Sequence, residues 1–111
     1  GLDEISPYAK TNVIQLKDNE ISEIVIDPKK LGINADKFEN LVGDDAKFNA
    51  NKMLEIFKGE DNDFSKAVCL NAAAGLIVNE THEEFSEAYK NAREHILSNK
   101  VIKHLEKIQN A

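Results

Sequence analysis

Two adjacent carboxylates, Asp3 and Glu4, come first among the side chains of this 111-residue sequence whose types and spacing could carry chemistry. In an irregular segment such a pair can hold a hard cation such as Mg2+, which takes one or two carboxylates and fills its shell with water and substrate phosphates. Two ligands fall short of a protein-built cage, and an acidic doublet is more often solvated surface charge. Asp44-Asp45 has the same character, but it follows Gly43 and precedes a helical pattern, a setting that favours capping and the helix dipole. His82, His95 and His104 share no metal-ligand spacing and read as surface or boundary residues. Cys69 is the lone cysteine, lies in an apolar run, and reads as a small core residue rather than a nucleophile. There is no glycine-rich phosphate loop, nucleophile elbow or cysteine pair. Taken by themselves, these residues form no complete active site.

Composition narrows the partners. With 41% hydrophobic and 31% charged residues the chain reads as one soluble globular unit. The net charge of −6 and the lack of a basic tract interleaved with aromatics exclude a nucleic-acid footprint, so any phosphate-holding groups must be local or lie elsewhere in the protein. The longest apolar stretch, Ala67 to Val78, contains Asn71 and is shorter than the ~18 residues of a membrane span. One cysteine allows no internal disulfide, which suits a reducing cytoplasm. Gly1 in place of methionine points to a processed or truncated product.

The elements that must position these groups are an α+β set: one β-hairpin followed by about four helices. Residues 1–10 read as an irregular lead-in. Asn12 to Lys17 alternates as a strand, with Ile14 and Leu16 on one face and Val13 and Gln15 on the other. Asp18-Asn19 tolerates the positive φ of a tight turn, and Glu20 to Ile26 returns, closed by Asp27-Pro28. Two strands need a partner surface, either the downstream helices or a larger sheet. After a connector with a turn of helix near Asp36 to Leu41, residues 43–111 read as helical. A first helix capped by Asp44-Asp45 runs to Lys58 with Ala46, Ala50, Met53, Leu54 and Phe57 as its stripe. The polar run Gly59 to Asp63 reads as a surface loop. The next helix, Phe64 to Val78, is apolar almost all round, which predicts burial on every side. Thr81 and Glu84 have capping-box spacing for a third helix with Phe85, Ala88, Tyr89, Ala92 and Ile96 inward. Ser98 or Asn99 resets the chain for a last helix with Val101, Leu105 and Ile108 on its inner face.

Three stretches then carry a family likeness. Gly1-Leu2-Asp3-Glu4-Ile5-Ser6 resembles the Gly-Leu/Met-Asp-Glu-Ile/Leu-Ser motif of anthranilate phosphoribosyltransferases. Lys66-Ala67-Val68-Cys69-Leu70-Asn71-Ala72-Ala73-Ala74-Gly75-Leu76 resembles their late Asp-Ala-Val-Leu-Leu-Asn-Ala-Ala-Ala-Ala-Leu helix, and Gly43-Asp44-Asp45-Ala46 with Asn49-Ala50 resembles their Gly-Gly-Asp-Ala…Asn-Ala element. The sequence departs from that pattern where Pro7-Tyr8-Ala9-Lys10-Thr11 replaces Leu-Thr-Gly-Pro-Thr, where Lys66 replaces aspartate, and where Gly75 replaces alanine.

The resemblance implies that residues 1–111 are the C-terminal portion of an α/β parent domain: a metal-motif loop over 1–10, a hairpin over 11–27 and a helical part over 43–111. It implies transfer of a phosphoribosyl group from phosphoribosyl pyrophosphate to anthranilate in tryptophan biosynthesis, by a cytoplasmic and homodimeric parent enzyme. It assigns Asp3 and Glu4 as Mg2+ ligands. The family's Gly-Thr-Gly-Gly-Asp and Lys-His-Gly-Asn segments have no counterpart here, so the chain alone is expected to be inactive without the remainder of the parent. The alternatives are a non-catalytic helical interaction module and part of a related pyrimidine nucleoside phosphorylase.

Overall fold

Asp18 and Asn19 both take left-handed backbone angles, φ 52° and 63°, and this pair closes the hairpin as their side chains predict. The computed structural model describes residues 2–111. Strand β1, Thr11–Lys17, pairs antiparallel with β2, Glu20–Ile26, in a register that sets Val13 opposite Ile24 and Leu16 opposite Ile21. Because side chains alternate, Thr11, Val13, Ile24 and Ile26 share one face, and Ile14, Leu16, Ile21 and Val25 share the other. On the first face Ile26 is buried. The second stays open, with Ile14, Leu16 and Ile21 all more than 70% exposed.

A cleft of about 780 Å³, lined among others by Val13, Ile24, Ala74, Ile77 and Phe85, separates the hairpin from the helices. The downstream helices therefore cover the hairpin only near Ile26. The radius of gyration, 14.9 Å, exceeds the ~13 Å of a self-contained domain of this length.

Short 3-10 turns at Pro28–Leu31 and Phe38–Leu41 lead into α1, Ala46–Phe57. Asp45 caps α1 by accepting from the Phe48 N–H at 2.8 Å. The expected apolar stripe needs correction, for Ala46, Ala50 and Met53 face solvent and the one buried residue of α1 is Ile56. Only the last turn of α1 reaches the core.

Helix α2, Asp63–Val78, is the central element. Asn62 accepts from the Ser65 N–H at 2.9 Å while Ser65 Oγ accepts from the Asn62 N–H at 3.0 Å, a reciprocal cap. The run after Gly59 is thus less of a free loop than its polarity suggests, since Asp63 is already in the helix and buried. Cys69, Leu70 and Ala73 are fully buried, and Cys69 forms a cluster with Ile56 and with Ala92 and Ile96 of α3, Phe85–Leu97. Small side chains at Ala73, Ala88 and Ala92 let the helices approach closely. Burial on every side of α2 is not met within this chain, because Val68, Ala72, Gly75 and Val78 lie along an open face.

The capping box at Thr81 and Glu84 is also corrected. Glu80 takes φ 56°, the Thr81 N–H bonds to the Leu76 carbonyl at 3.1 Å, and the Glu80 N–H bonds to that of Ile77 at 3.0 Å. That pattern closes α2, and Thr81 Oγ1 adds a third bond to the Leu76 carbonyl at 3.0 Å. Thr81 is consumed by the helix before it, so α3 starts at Phe85 with no side-chain cap. Asn99, at φ 61°, resets the chain into α4, Lys100–Gln109. Val101 and Leu105 are half-buried there, but Ile108 is 60% exposed, since the helix runs past the core before reaching it.

Candidate metal-binding segment

Asp3 and Glu4 lie on the irregular segment before β1, and both are exposed. Among the described residues neither carboxylate is engaged by a hydrogen bond or a salt bridge. No group of three or more His, Cys, Asp or Glu among those residues could hold a metal ion. Two unengaged, adjacent carboxylates without a third ligand suit Mg2+, which keeps most of its shell for water and phosphate oxygens. They do not suit a structural metal, which needs a closed set of protein ligands.

What the segment lacks in ligands it has in anchoring. Immediately after Glu4, the Ile5 N–H donates to Asn71 Oδ1 at 2.9 Å, and Asn71 Nδ2 donates back to the Ile5 carbonyl at 3.2 Å. The same Nδ2 also donates to the Ala67 carbonyl of its own helix at 2.9 Å, which fixes the amide's orientation on α2. Three residues on, Tyr8 Oη donates to Asp63 Oδ2 at 3.2 Å. The two anchor points on α2 are eight residues apart, about 12 Å along the axis, against about 10 Å for three extended residues. The segment from Ile5 to Tyr8 therefore runs along α2, antiparallel to it, and the Tyr8 side chain spans the remaining distance to Asp63. Pro7 between the anchors is buried, and Ser6 Oγ accepts from the Tyr8 and Ala9 N–H groups at 3.1 and 3.3 Å.

Asp63 gathers more than Tyr8. Its Oδ2 also accepts from Asn40 Nδ2 at 2.8 Å and from the Asp36 N–H at 3.3 Å, while Oδ1 faces Lys66 Nζ at 3.1 Å. Lys66 Nζ also reaches the Asn34 carbonyl. One carboxylate thus ties the segment before β1, the connector before α1 and the first turn of α2 together. Tyr8 and Lys66, two of the positions where the sequence departs from the pattern it resembles, both bond to it. Tyr8 also stacks edge-on against Phe38, with ring centroids 6.3 Å apart.

Burial opposes ionisation of Asp63, but the hydrogen bonds from Asn40, Lys66, the Asp36 N–H and Tyr8 outweigh it and hold the carboxyl below the usual range. Burial, with the Asp63 charge and hydrogen bond behind it, pushes Tyr8 up to about 12. A raised tyrosine pKa contributes stability that is complete below about pH 10 and is lost as pH climbs toward 12. Tyr89 is raised too, burial first among the causes. Native protein is therefore expected to show little tyrosinate absorbance at pH 10 and a Tyr8 midpoint near 12 that disappears in Tyr8→Phe. Half-ionisation of both tyrosines at pH 10 would contradict the Tyr8–Asp63 bond.

An apolar groove of about 340 Å³ opens beside Glu4, lined by Leu2, Pro7, Phe38, Phe64 and Val68 among others. The remaining candidates stay apart from this segment. Cys69 is fully buried and burial raises its thiol pKa, so it is a core residue and not a nucleophile. His95 and His104 are exposed, and His82 is half-buried with Nδ1 3.3 Å from Thr81 Oγ1. Asp45 caps α1, as its position predicts. Sequence reasoning missed Asn71 and Asp63. Asn71 gave one signal, a lone amide inside an apolar helix, and Asp63 gave none.

Comparison with known proteins gives a consistent picture. Residues 1–101 match the family described as glycosyl transferase family, a/b domain. The chain is 74% identical over 110 residues to the anthranilate phosphoribosyltransferase of Pelagibacter ubique (strain HTCC1062), covering 99% of this chain and 33% of that protein. It is 42% identical over 90 residues to the anthranilate phosphoribosyltransferase of Thermoanaerobacter sp. (strain X514), covering 81% of this chain and 27% of the relative. For the enzyme of the same name from Bacillus cereus (strain B4264) the figures are 40% over 101 residues, 91% and 30%. The chain spans about a third of the length of the curated relatives it matches.

Proposed function

The chain belongs to the glycosyl transferase family as part of its a/b domain, and from this we propose that it is the C-terminal portion of an enzyme transferring a phosphoribosyl group from phosphoribosyl pyrophosphate to anthranilate. The observation that carries the reading is the pair Asp3 and Glu4, unengaged among the described residues yet held from behind by Asn71. These carboxylates are the Mg2+ ligands of the proposal. Mg2+ held there would offset charge on the departing pyrophosphate. The chain's own residues do the rest of the work assigned to it. Asp3 and Glu4 present oxygen ligands at the surface, Asn71 and Asp63 fix the segment's path, and the rigid α2 sets where that path lies.

Every other part of the transfer belongs to residues outside these 111. The excess of acid over base, 20 against 14, gives the chain no general attraction for a polyphosphate. The open faces at Ile14, Leu16 and Ile21 and along Val68 to Val78 are consistent with more protein packing there. The same reading places the enzyme in tryptophan biosynthesis, as a cytoplasmic homodimer, and the absence of any possible internal disulfide accords with a reducing compartment.

A hybrid enzyme tests the proposal: the Pelagibacter ubique relative with its matching third replaced by this chain. The hybrid is expected to transfer phosphoribosyl to anthranilate in a Mg2+-dependent way, and the 111 residues alone are expected to transfer none. Turnover by the isolated chain with Mg2+ and both substrates would overturn the reading.

A further inference from the structure

Asn71 makes two bonds that have no role in α2 itself. Within its own helix the amide finds only the Ala67 carbonyl, 2.9 Å away, as a partner for Nδ2. Its Oδ1 accepts from the Ile5 N–H and Nδ2 also donates to the Ile5 carbonyl, 66 residues distant in sequence. This reciprocal pair imitates one rung of a sheet, with a side chain in place of a strand. It takes hold of the residue that directly follows Glu4, while Asp3 and Glu4 themselves have no other tether among the described residues.

We propose that Asn71 is a positioning residue for the Asp3–Glu4 carboxylate pair, fixing the backbone behind it so that both carboxylates meet a divalent cation in one geometry. The inference rests on the reading of Asp3 and Glu4 as metal ligands. Asn71 touches neither cation nor substrate. Its effect runs through Ile5, and it lowers the conformational freedom that two surface carboxylates would otherwise lose on binding. Groups that orient metal ligands in this way are commonly worth roughly 10- to 100-fold in metal affinity or activity.

The test uses the hybrid enzyme, with Mn2+ as a spectroscopic probe of binding and Mg2+ for turnover. Asn71→Ala removes both bonds. Asn71→Asp keeps the volume but turns the donations to Ile5 and Ala67 into oxygen–oxygen contacts, so it reports even where the alanine variant folds poorly. Both are expected to raise the Mn2+ dissociation constant and the half-saturating Mg2+ concentration by roughly 10-fold, with much of the rate recovered at high Mg2+. Asn71→Ala, which removes the acceptor Oδ1, should also raise the hydrogen-exchange rate of the Ile5 amide. Leu70→Val, which loosens the buried core beside Asn71 but keeps the Asn71 amide, should lower the melting temperature and leave the Mn2+ constant unchanged.

If Asn71→Ala and Asn71→Asp lower the melting temperature as Leu70→Val does and leave Mn2+ affinity alone, Asn71 is only structural and the inference fails. If Asp3→Asn and Glu4→Gln also leave Mn2+ affinity unchanged, the metal-ligand reading fails first and takes the inference with it. The Mn2+ measurement needs no turnover, so it decides between these results even for an inactive hybrid.

Discussion

Asp63→Ala is expected to destabilise the chain by about 3 kcal/mol, the largest effect on stability of any single change outside the apolar core. The carboxylate is 7% exposed and accepts from Tyr8 Oη, Asn40 Nδ2, the Asp36 N–H and Lys66 Nζ. Hydrogen bonds to a charged group contribute about 1.5–3 kcal/mol each when broken singly, but these share one acceptor and are not additive. Lys66 and Tyr8 are only half-buried and can turn to water, which sets the loss well below a simple sum. Asp63→Asn should cost less, since it keeps the volume and one acceptor.

The pH dependence gives a second reading of the same interaction. The Asp63 pKa is depressed in the fold, so its stabilisation is present above the unfolded value of about 3.9 and fades as pH falls through the lower folded value. Urea unfolding followed by circular dichroism should show the gap between wild type and Asp63→Asn closing below about pH 4. A gap of the same size at pH 3 as at pH 7 would mean the charge on Asp63 is not what holds the connector and the Tyr8 segment.

The parts of this fold legible in the sequence are those decided within a few residues. Asp18 and Asn19 name their turn because few side chains tolerate positive φ, and Asp45 names its cap because it stands directly before an apolar period. Thr81 and Glu84 mislead for a reason that is equally local. Glu80 adopts the left-handed angle that ends α2, and Thr81 is spent there before α3 begins. The cap of α2 escaped because its members come in the order Asn62 then Ser65, whereas the usual signature looks for a longer acidic or amide partner at the second position.

Periodicity gave the face of α1 but not how much of its length touches the core, so Ala46, Ala50 and Met53 were placed inside although only the last turn packs. For the candidate site, adjacency marked Asp3 and Glu4, and the family likeness supplied their role. Their supports could not be read at all. Asn71 meets Ile5 across 66 residues and Asp63 meets Tyr8 across 55, and no local rule reaches that far.

The second large effect concerns activity. Asp3→Asn with Glu4→Gln leaves the backbone and the Asn71 bonds intact, because neither carboxylate takes part in them. Only the two negative charges and their ligand strength are removed. A bound cation at a reacting phosphate is worth several kcal/mol of barrier, and each ~1.4 kcal/mol is tenfold in rate, so a loss of about 100-fold or more in kcat/KM is expected. Folding should be untouched, since both side chains are exposed.

The most direct measurement is therefore the Mg2+ dependence of phosphoribosyl transfer to anthranilate by the hybrid enzyme, with and without that double substitution. Transfer by the hybrid at a rate comparable to the Pelagibacter ubique relative, together with a double variant that melts at the same temperature but loses about two orders of magnitude in kcat/KM, is the predicted result. A folded double variant that transfers at the hybrid's full rate with unchanged Mg2+ dependence would contradict it, and Asp3 and Glu4 would then be no more than surface charge.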